Sequence, residues 1–202
     1  KIVSIEIHAM GNENTNAQFS SKWEVWKQTN IILKLTMADV CEAVSGVISY
    51  NTGDFSETCL LELKCILSEL YNLQTLDPIE VGILLKEIKP GLSDLSRSSI
   101  DIALWDLAAK RADLSLATML GNKRDSITSY ASLPCYESLS DYSDAVNEYS
   151  KLGHKIFKFH VWGSLDKDMT LIRLINKEFK GSIYRFMVDL ESTYTFNDVI
   201  TL

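Results

Sequence analysis

The chain has 202 residues, of which 46% are hydrophobic and 23% charged, with a net charge of −7. This is the composition of a globular protein with one or two domains. The acidic balance, without a Lys/Arg cluster, argues against a nucleic-acid binder, and no apolar run reaches the ~18 residues of a membrane span.

The first 125 residues predict an α+β domain. Residues 1–10, 26–37 and 42–50 alternate as strands do, and the polar segment from Gly11 to Trp23 between the first two predicts a long loop. Three segments with apolar residues at helical spacing follow, at 55–73, 77–88 and 96–114. Ser56 is the predicted N-cap of the first helix, and Asp77 before Pro78 marks the start of the second.

Residues 126–202 change pattern and predict alternating strands and helices. The strands are expected at 126–133, 155–162 and 183–191. Helices follow at 138–153, closed by Gly153, at 165–179, and from Thr195 onward. A βαβαβα order is typical of a parallel sheet. The predicted organisation is therefore one domain over 1–125 and the start of another over 126–202.

The four cysteines, Cys41, Cys59, Cys65 and Cys135, follow no zinc-binding spacing. Cys59 and Cys65 fall in an apolar helical pattern, which favours buried free thiols. Because the N-terminus does not have the pattern of a signal peptide, we expect a reducing, cytoplasmic location.

Several segments together resemble one family. They are "SSIDIALWDLAAKRADLSLATMLG", then "YASL", then the pair Lys158-x-His160, then "FMVDLE". In this order they are similar to the mandelate racemase and muconate lactonizing enzyme branch of the enolase superfamily. The resemblance implies an α+β capping domain followed by the first β/α units of a TIM-type (β/α) barrel. Since a closed barrel takes ~250 residues, we expect the natural protein to continue well past Leu202.

The resemblance also implies a reaction. Enzymes of this branch remove the proton α to a carboxylate and stabilise the enediolate with Mg²⁺. We expect dehydration or racemisation of a hydroxy acid or sugar acid, by a protein that is commonly a homo-oligomer. A muconate cycloisomerase or dipeptide epimerase is the alternative reaction, and a non-catalytic homologue on the same scaffold is the alternative of another class.

Two basic residues occupy the family's Lys-x-Lys positions, where the second lysine is the base and the first contacts the substrate carboxylate. Carried over, Lys158 is the helper and His160 the base. Histidine has an ordinary pKa of about 6.5, against about 10.4 for lysine, so it needs less adjustment to act at neutral pH. Side chains two apart share one face of a strand, so both are expected to point toward the substrate.

Asp189 matches the family's first metal ligand, and Glu191 stands where the family often has Asn. Glu191 is expected either to support a metal ligand or to be a loop charge. Neighbouring strands lie ~4.8 Å apart, so these carboxylates should converge with the basic pair at the carboxyl ends of the strands. Weaker candidates for substrate contact are Trp23, Tyr50 and Ser132.

Overall fold

The computed structural model describes the backbone of residues 1–14, 26–50, 53–191 and 193–201, and the side chains of 1–11, 29–48, 57–191 and 193–201. Two compact units divide between Asp125 and Ser126. The first comprises Lys1–Glu13 and Lys27–Asp125, and the second contains Ser126–Leu202. No helix within the described residues is both long enough and apolar enough to cross a membrane.

The first unit begins with a three-stranded sheet in the order β1-β2-β3. Its strands are β1 (Ile2–Asn14), β2 (Trp26–Met37) and β3 (Glu42–Tyr50). The β2–β3 pair is antiparallel, with Ile31 opposite Val47 and Leu35 opposite Ala43. Because alternate side chains share a face, these four are buried together on one side of the sheet.

The described residues of this unit also form five helices: α1 (Gly53–Cys65), α2 (Leu67–Tyr71), α3 (Pro78–Ile88), α4 (Asp94–Arg111) and α5 (Leu116–Met119). Helix α4 packs on β3, and α1 and α3 pack on α4. Ile100, Leu104 and Leu107 of α4 join the sheet residues in one apolar core. Burial of each such side chain stabilises the fold by roughly 1.5–3 kcal/mol. The packing of α4 is therefore a major source of stability in this unit.

The second unit alternates strands and helices: β4 (Ala131–Leu133), α6 (Leu139–Lys151), β5 (Ile156–His160), α7 (Leu165–Glu178), β6 (Arg185–Asp189) and α8 (Phe196–Thr201). Its strands are parallel and lie in the order β4-β5-β6. The predicted βαβαβα order is therefore confirmed.

The parallel sheet has two chemically different faces. Leu133, Phe157 and Phe159 are buried in one apolar cluster with Tyr142 of α6 and Leu171 of α7. The alternate positions of β4 and β5 point to the other face. That face carries the polar side chains Ser132, Lys158 and His160.

Several predictions in the first unit are wrong. The strand β1 continues through Asn14, so Gly11 lies in a strand rather than in the predicted loop, whose residues 15–23 lie outside the described residues. Helix α1 begins at Gly53, so Ser56 lies inside its first turn and is not the N-cap. Cys65 is exposed, although Cys59 is buried as predicted.

The predicted helix over 55–73 is divided, because Ile66 leaves the helical conformation at φ −104° and ψ 2°. Leu63, Ile66 and Leu70 are nevertheless all buried in the same core. Tertiary packing overrides the continuous helical pattern here.

The strand predicted over 126–133 forms only at Ala131–Leu133. The ladder limits it, because Ala131 already pairs with Phe157, the second residue of β5. By this register residues 126–129 lie beyond the start of β5 and have no facing residue in that strand, and Ile127 is exposed.

The start of α3 provides a test of local stability. Asp77 Oδ1 accepts hydrogen bonds from the backbone N–H groups of Ile79 at 2.9 Å and Glu80 at 3.0 Å. We expect Asp77→Ala to lower the free energy of unfolding by about 1 kcal/mol, since both donors lose their acceptor. Urea unfolding measures this. Asp77→Asn, an equally good N-cap, should change little, and an equal loss in both variants would contradict the capping role.

Candidate active site

The candidate site lies at the carboxyl ends of β5 and β6. His160 is the last residue of β5 and Asp189 the last of β6, and the two are register partners. Partners on adjacent parallel strands point to the same face of a sheet. The structure accordingly places His160 Nε2 3.9 Å from Asp189 Oδ2.

The orientation and tautomer of His160 are set by β4. His160 is only 4% exposed, and its Nδ1 lies 2.6 Å from the carbonyl oxygen of Leu133. A carbonyl oxygen can only accept a hydrogen bond, so Nδ1 is the donor. In the neutral ring the lone pair is then on Nε2, the nitrogen that faces the carboxylates. This is the nitrogen able to take a proton.

Lys158 lies two residues before His160 and shares its face. Its Nζ donates to Asp189 Oδ2 at 2.7 Å and stands 5.5 Å from the centre of the Tyr130 ring, within cation–π range. Burial lowers the pKa of the Lys158 ammonium, but the hydrogen bond and the charge of Asp189 outweigh it and raise that pKa above 10.5. The same hydrogen bond lowers the pKa of Asp189 below 3.8. The pair is therefore ionised at neutral pH.

Glu191 joins the group from the loop after β6. Its Oε1 lies 3.5 Å from His160 Nε2, and its backbone N–H donates to Asp189 Oδ1 at 3.2 Å. The backbone of Glu191 has φ +47°, a left-handed conformation that costs a non-glycine residue about 1–2 kcal/mol. Such strain recurs at functional sites.

His160, Asp189 and Glu191 form a set of possible metal ligands. One ligand atom from each lies within 4.8 Å of the other two. Carboxylate oxygens are the hard ligands that Mg²⁺ prefers, and proteins commonly hold this ion with one or two carboxylates, the rest being water and substrate. The donor chemistry of Asp189 and Glu191 therefore fits Mg²⁺.

A groove in the first unit has a different chemistry. A groove of about 370 Å³ lies between α3 and α4, with Ile79, Ile83 and Leu104 in a mainly apolar wall. Lys86, Arg97 and Asp101 also line this groove, but it lies on helices rather than at the carboxyl ends of parallel strands.

Comparison with known proteins decides the family. Residues 24–121 match the family model described as "Mandelate racemase / muconate lactonizing enzyme, N-terminal domain". This part of the chain is an N-terminal domain of the mandelate racemase / muconate lactonizing enzyme family. The resemblance predicted from the sequence, within the enolase superfamily, is confirmed.

Two characterised relatives also match this chain, and the first match extends well beyond the N-terminal domain. A D-Ala-D/L-Ala epimerase of Cytophaga hutchinsonii is 31% identical over 181 residues, covering 85% of this chain and 46% of its own. A D-galactarolactone cycloisomerase of Agrobacterium fabrum is 31% identical over 117 residues, covering 55% of this chain and 31% of its own. The chain thus spans less than half the length of either relative.

Solved structures share the fold over nearly the whole chain. A Pseudovibrio sp. protein assigned to the same family has a TM-score of 0.89 and 27% identity, over 99% of this chain and 54% of its own. A Methylococcus capsulatus dipeptide epimerase, complexed with Mg and the dipeptide L-Arg-D-Lys, has a TM-score of 0.85 and 18% identity, over 100% and 57%. An L-talarate/galactarate dehydratase variant, liganded with Mg and L-glucarate, has a TM-score of 0.86 and 20% identity, over 99% and 53%.

The remaining predicted site residues have different outcomes. Ser132 pairs in register with Lys158 and is exposed on the same face of the sheet. Trp23 lies outside the described residues, and so does the side chain of Tyr50, which ends β3. Contact of these three with a substrate stays a prediction.

The sequence analysis missed two residues that support the candidate site. The buried Tyr142 donates from its hydroxyl to the backbone carbonyl of His160 at 3.3 Å, and burial raises its phenol pKa, which keeps it a donor. The buried carboxylate of Asp168 accepts hydrogen bonds from the loop after β5. The sequence could have indicated Asp168, because its spacing from Leu171 and Ile175 places this acidic residue on the buried face of α7.

The family's frequent Asn at the Glu191 position suggests a stability test. Asn adopts the left-handed conformation more readily than Glu. We expect Glu191→Asn to raise the free energy of unfolding, on the order of 0.5–1 kcal/mol, as measured by urea unfolding. Glu191→Gln removes the same charge but keeps the backbone cost, so it should not reproduce the gain. Equal effects of the two variants would show that charge, not backbone conformation, is responsible.

Proposed function

We propose that the protein removes the proton α to the carboxylate of a hydroxy acid or sugar acid, with Mg²⁺ as cofactor, and that dehydration or racemisation/epimerisation follows. The observation that carries this is the convergence of His160, Lys158 and Asp189 at the ends of β5 and β6. The characterised relatives are an epimerase and a cycloisomerase, and a structural neighbour is a dehydratase. These names are consistent with one shared step, proton transfer beside a carboxylate.

We also propose a fold for the whole protein. Residues 1–125 form the capping domain, and 126–202 begin a TIM-type (β/α) barrel whose later strands supply further metal carboxylates. The parallel β4-β5-β6 sheet, with α6 and α7 packed on one face, supports this. In such a barrel the face that carries Lys158 and His160 is the interior, and catalytic groups sit at the carboxyl ends of strands.

Each side chain has a role in this mechanism. His160 Nε2 takes the proton from the α carbon, and the electron pair of the broken C–H bond moves into the carboxylate to give an enediolate. The Lys158 ammonium contacts the substrate carboxylate and offsets its growing negative charge. Asp189, with Glu191 beside it, would hold Mg²⁺. When bound, this ion supplies Lewis-acid stabilisation of the negative charge.

The outcome depends on what happens to the enediolate. If a hydroxyl lies on the β carbon, the electron pair returns and expels it, which is dehydration. If a proton is delivered to the opposite face of the α carbon, the configuration is inverted. Both outcomes use the same first step by His160, so this step is the one to test.

A second candidate substrate class is a dipeptide. The match to the D-Ala-D/L-Ala epimerase covers 85% of this chain at 31% identity. A dipeptide also has an ionised carboxylate beside an α proton, so the roles of Lys158 and His160 are unchanged. A substrate panel containing sugar acids and dipeptides distinguishes the two classes.

The first test is α-proton exchange by the full-length protein in D₂O with Mg²⁺, followed by NMR or mass spectrometry. We expect His160→Ala to lower the exchange rate by roughly 10²–10⁴-fold, the usual contribution of a general base. His160→Asn is a second variant, because its amide can still donate to the Leu133 carbonyl and preserve the local fold. It should lose exchange equally.

His154→Asn is the matched control, since this histidine packs near the Tyr149 ring rather than in the site. It should exchange at the wild-type rate. Retained exchange in both His160 variants would show that another group is the base. No exchange by the wild-type protein with any sugar acid or dipeptide would favour the non-catalytic homologue.

Lys158→Met tests the carboxylate contact. We expect both a higher KM and a lower kcat, because the ammonium binds the substrate carboxylate and stabilises the charge that develops later. Steady-state kinetics on the best substrate of the panel measure both constants. Lys155→Met, at an exposed lysine just before β5, should change neither. A rise in KM alone would remove the proposed role of Lys158 in the proton-transfer step.

A further inference from the structure

Asp168 is a charged residue without exposed surface. It lies in the first turns of α7 and is 0% exposed. Removing an ionised carboxylate from water is costly unless hydrogen bonds replace the water. The interactions that offset this cost therefore reveal what the residue holds in place.

Three consecutive backbone N–H groups converge on this carboxylate. Asp168 Oδ1 accepts from Trp162 at 3.0 Å, and Oδ2 accepts from Gly163 and Ser164, each at 3.1 Å. Gly163 has φ +76°, so the chain turns in a left-handed conformation that directs successive N–H groups inward. Such a concave run of donors is a typical anion-binding arrangement. Here the anion is a side chain of the same chain.

A fourth hydrogen bond comes from a different loop. The hydroxyl of Tyr194, three residues after Glu191, donates to Asp168 Oδ2. Burial and this bond raise the pKa of the Tyr194 phenol, so it stays a donor. One carboxylate thus joins the loop after β5 to the loop after β6.

The loop after β5 begins directly after His160, and the loop after β6 begins directly after Asp189. Trp162 follows His160 by two residues, and Asp189 and Glu191 precede Tyr194. Neither Glu191 nor the loop residues take part in the strand ladder of the described sheet, which ends at the His160–Asp189 pair. Beyond that pair, the sheet alone does not fix the distance between the groups.

We propose that Asp168 is the positioning residue of this site: it fixes the two loops to each other and so sets the separation between His160 Nε2 and the carboxylate of Glu191, whereas the strand ladder places Asp189. This inference rests on the proposed function for its catalytic consequence. Its structural part, the joining of the two loops, does not.

The experiment compares Asp168→Asn with Asp166→Asn in the full-length protein. Asn keeps the shape but replaces one acceptor oxygen with an N–H₂ group, which cannot accept the loop donors. Asp166 is exposed in the same first turn of α7, so its variant removes an equal charge near the same helix end. Tyr194→Phe removes only the bond to the loop after β6.

Two measurements are made for each variant. Hydrogen–deuterium exchange of the metal-free protein follows the backbone amides of 161–165 and 190–195. Asp168→Asn should exchange faster in both segments, Tyr194→Phe only in 190–195, and Asp166→Asn in neither. Substrate kinetics at a temperature where circular dichroism shows the folded protein should give a kcat lower by about tenfold or more for Asp168→Asn. Its KM should change little, because Lys158 is held within β5.

The outcomes separate this inference from the proposed function. Unchanged amide exchange in Asp168→Asn, or a kcat within about twofold of wild type, the range of an ordinary surface change, would overturn it. An equal effect of Asp166→Asn would also overturn it. If Asp168→Asn does not fold, Tyr194→Phe decides, since unchanged exchange in 190–195 contradicts the link. A wild-type protein that has no activity refutes the proposed function, while the amide exchange still tests the link.

Discussion

The parallel ladder between β5 and β6 is the constraint on which the site depends. It pairs Phe157 with Phe186 and His160 with Asp189. Side chains in a strand alternate between faces, so a slip of one residue would exchange the two sets. The apolar residues would then lose their packing against Leu171 and Ile175 of α7. Burial of the phenylalanines therefore fixes the register, and the register brings the polar groups together.

The electrostatics of the site follow from that convergence. The Lys158 ammonium and the Asp189 carboxylate share a hydrogen bond of 2.7 Å, which stabilises both charged forms. A metal ion or a substrate carboxylate would compete for these same groups, so the pair is also the part of the site that ligands would rearrange. His160 beside them is held in two ways: the Tyr142 hydroxyl donates to its backbone carbonyl, and the Leu133 carbonyl accepts from Nδ1 and orients the imidazole ring.

Two departures from the family's pattern have a structural context. A histidine at the second basic position gains an oriented ring from the Leu133 carbonyl, which a lysine could not use in the same way. Glu191, where Asn is frequent, keeps a left-handed backbone and adds a carboxylate next to Asp189. The second departure brings a larger negative charge to the proposed Mg²⁺ site at a cost in backbone strain.

Buried polar groups are where packing and function meet in the second unit. Asp168 occupies a position of α7 that otherwise belongs to the apolar core. In the proposed role, a structural hydrogen-bond network becomes part of the catalytic geometry. Because the network involves neighbouring loops rather than one contact, single substitutions in it are not expected to be additive.

Much of this protein could be predicted from its sequence. The alternation of apolar residues over 26–37 and 42–50 predicted the bounds of β2 and β3 correctly. Such alternation is a local pattern, because a strand with one buried face needs an apolar residue at every second position. Asp77 before Pro78 marked the start of α3 for the same local reason. The pair Lys158-x-His160 and the Asp189 carboxylate could be assigned to one site, since strand periodicity and the resemblance to the family agreed.

Other features were decided only by the tertiary structure. The interruption at Ile66, the short β4 and the exposure of Cys65 depend on which distant residues pack or pair with them. The tautomer of His160 depends on a carbonyl 27 residues away, and the four hydrogen bonds of Asp168 come from loops that meet only after folding. Local patterns record which face of an element is buried, whereas the partners of a buried polar group are set by contacts between segments distant in sequence.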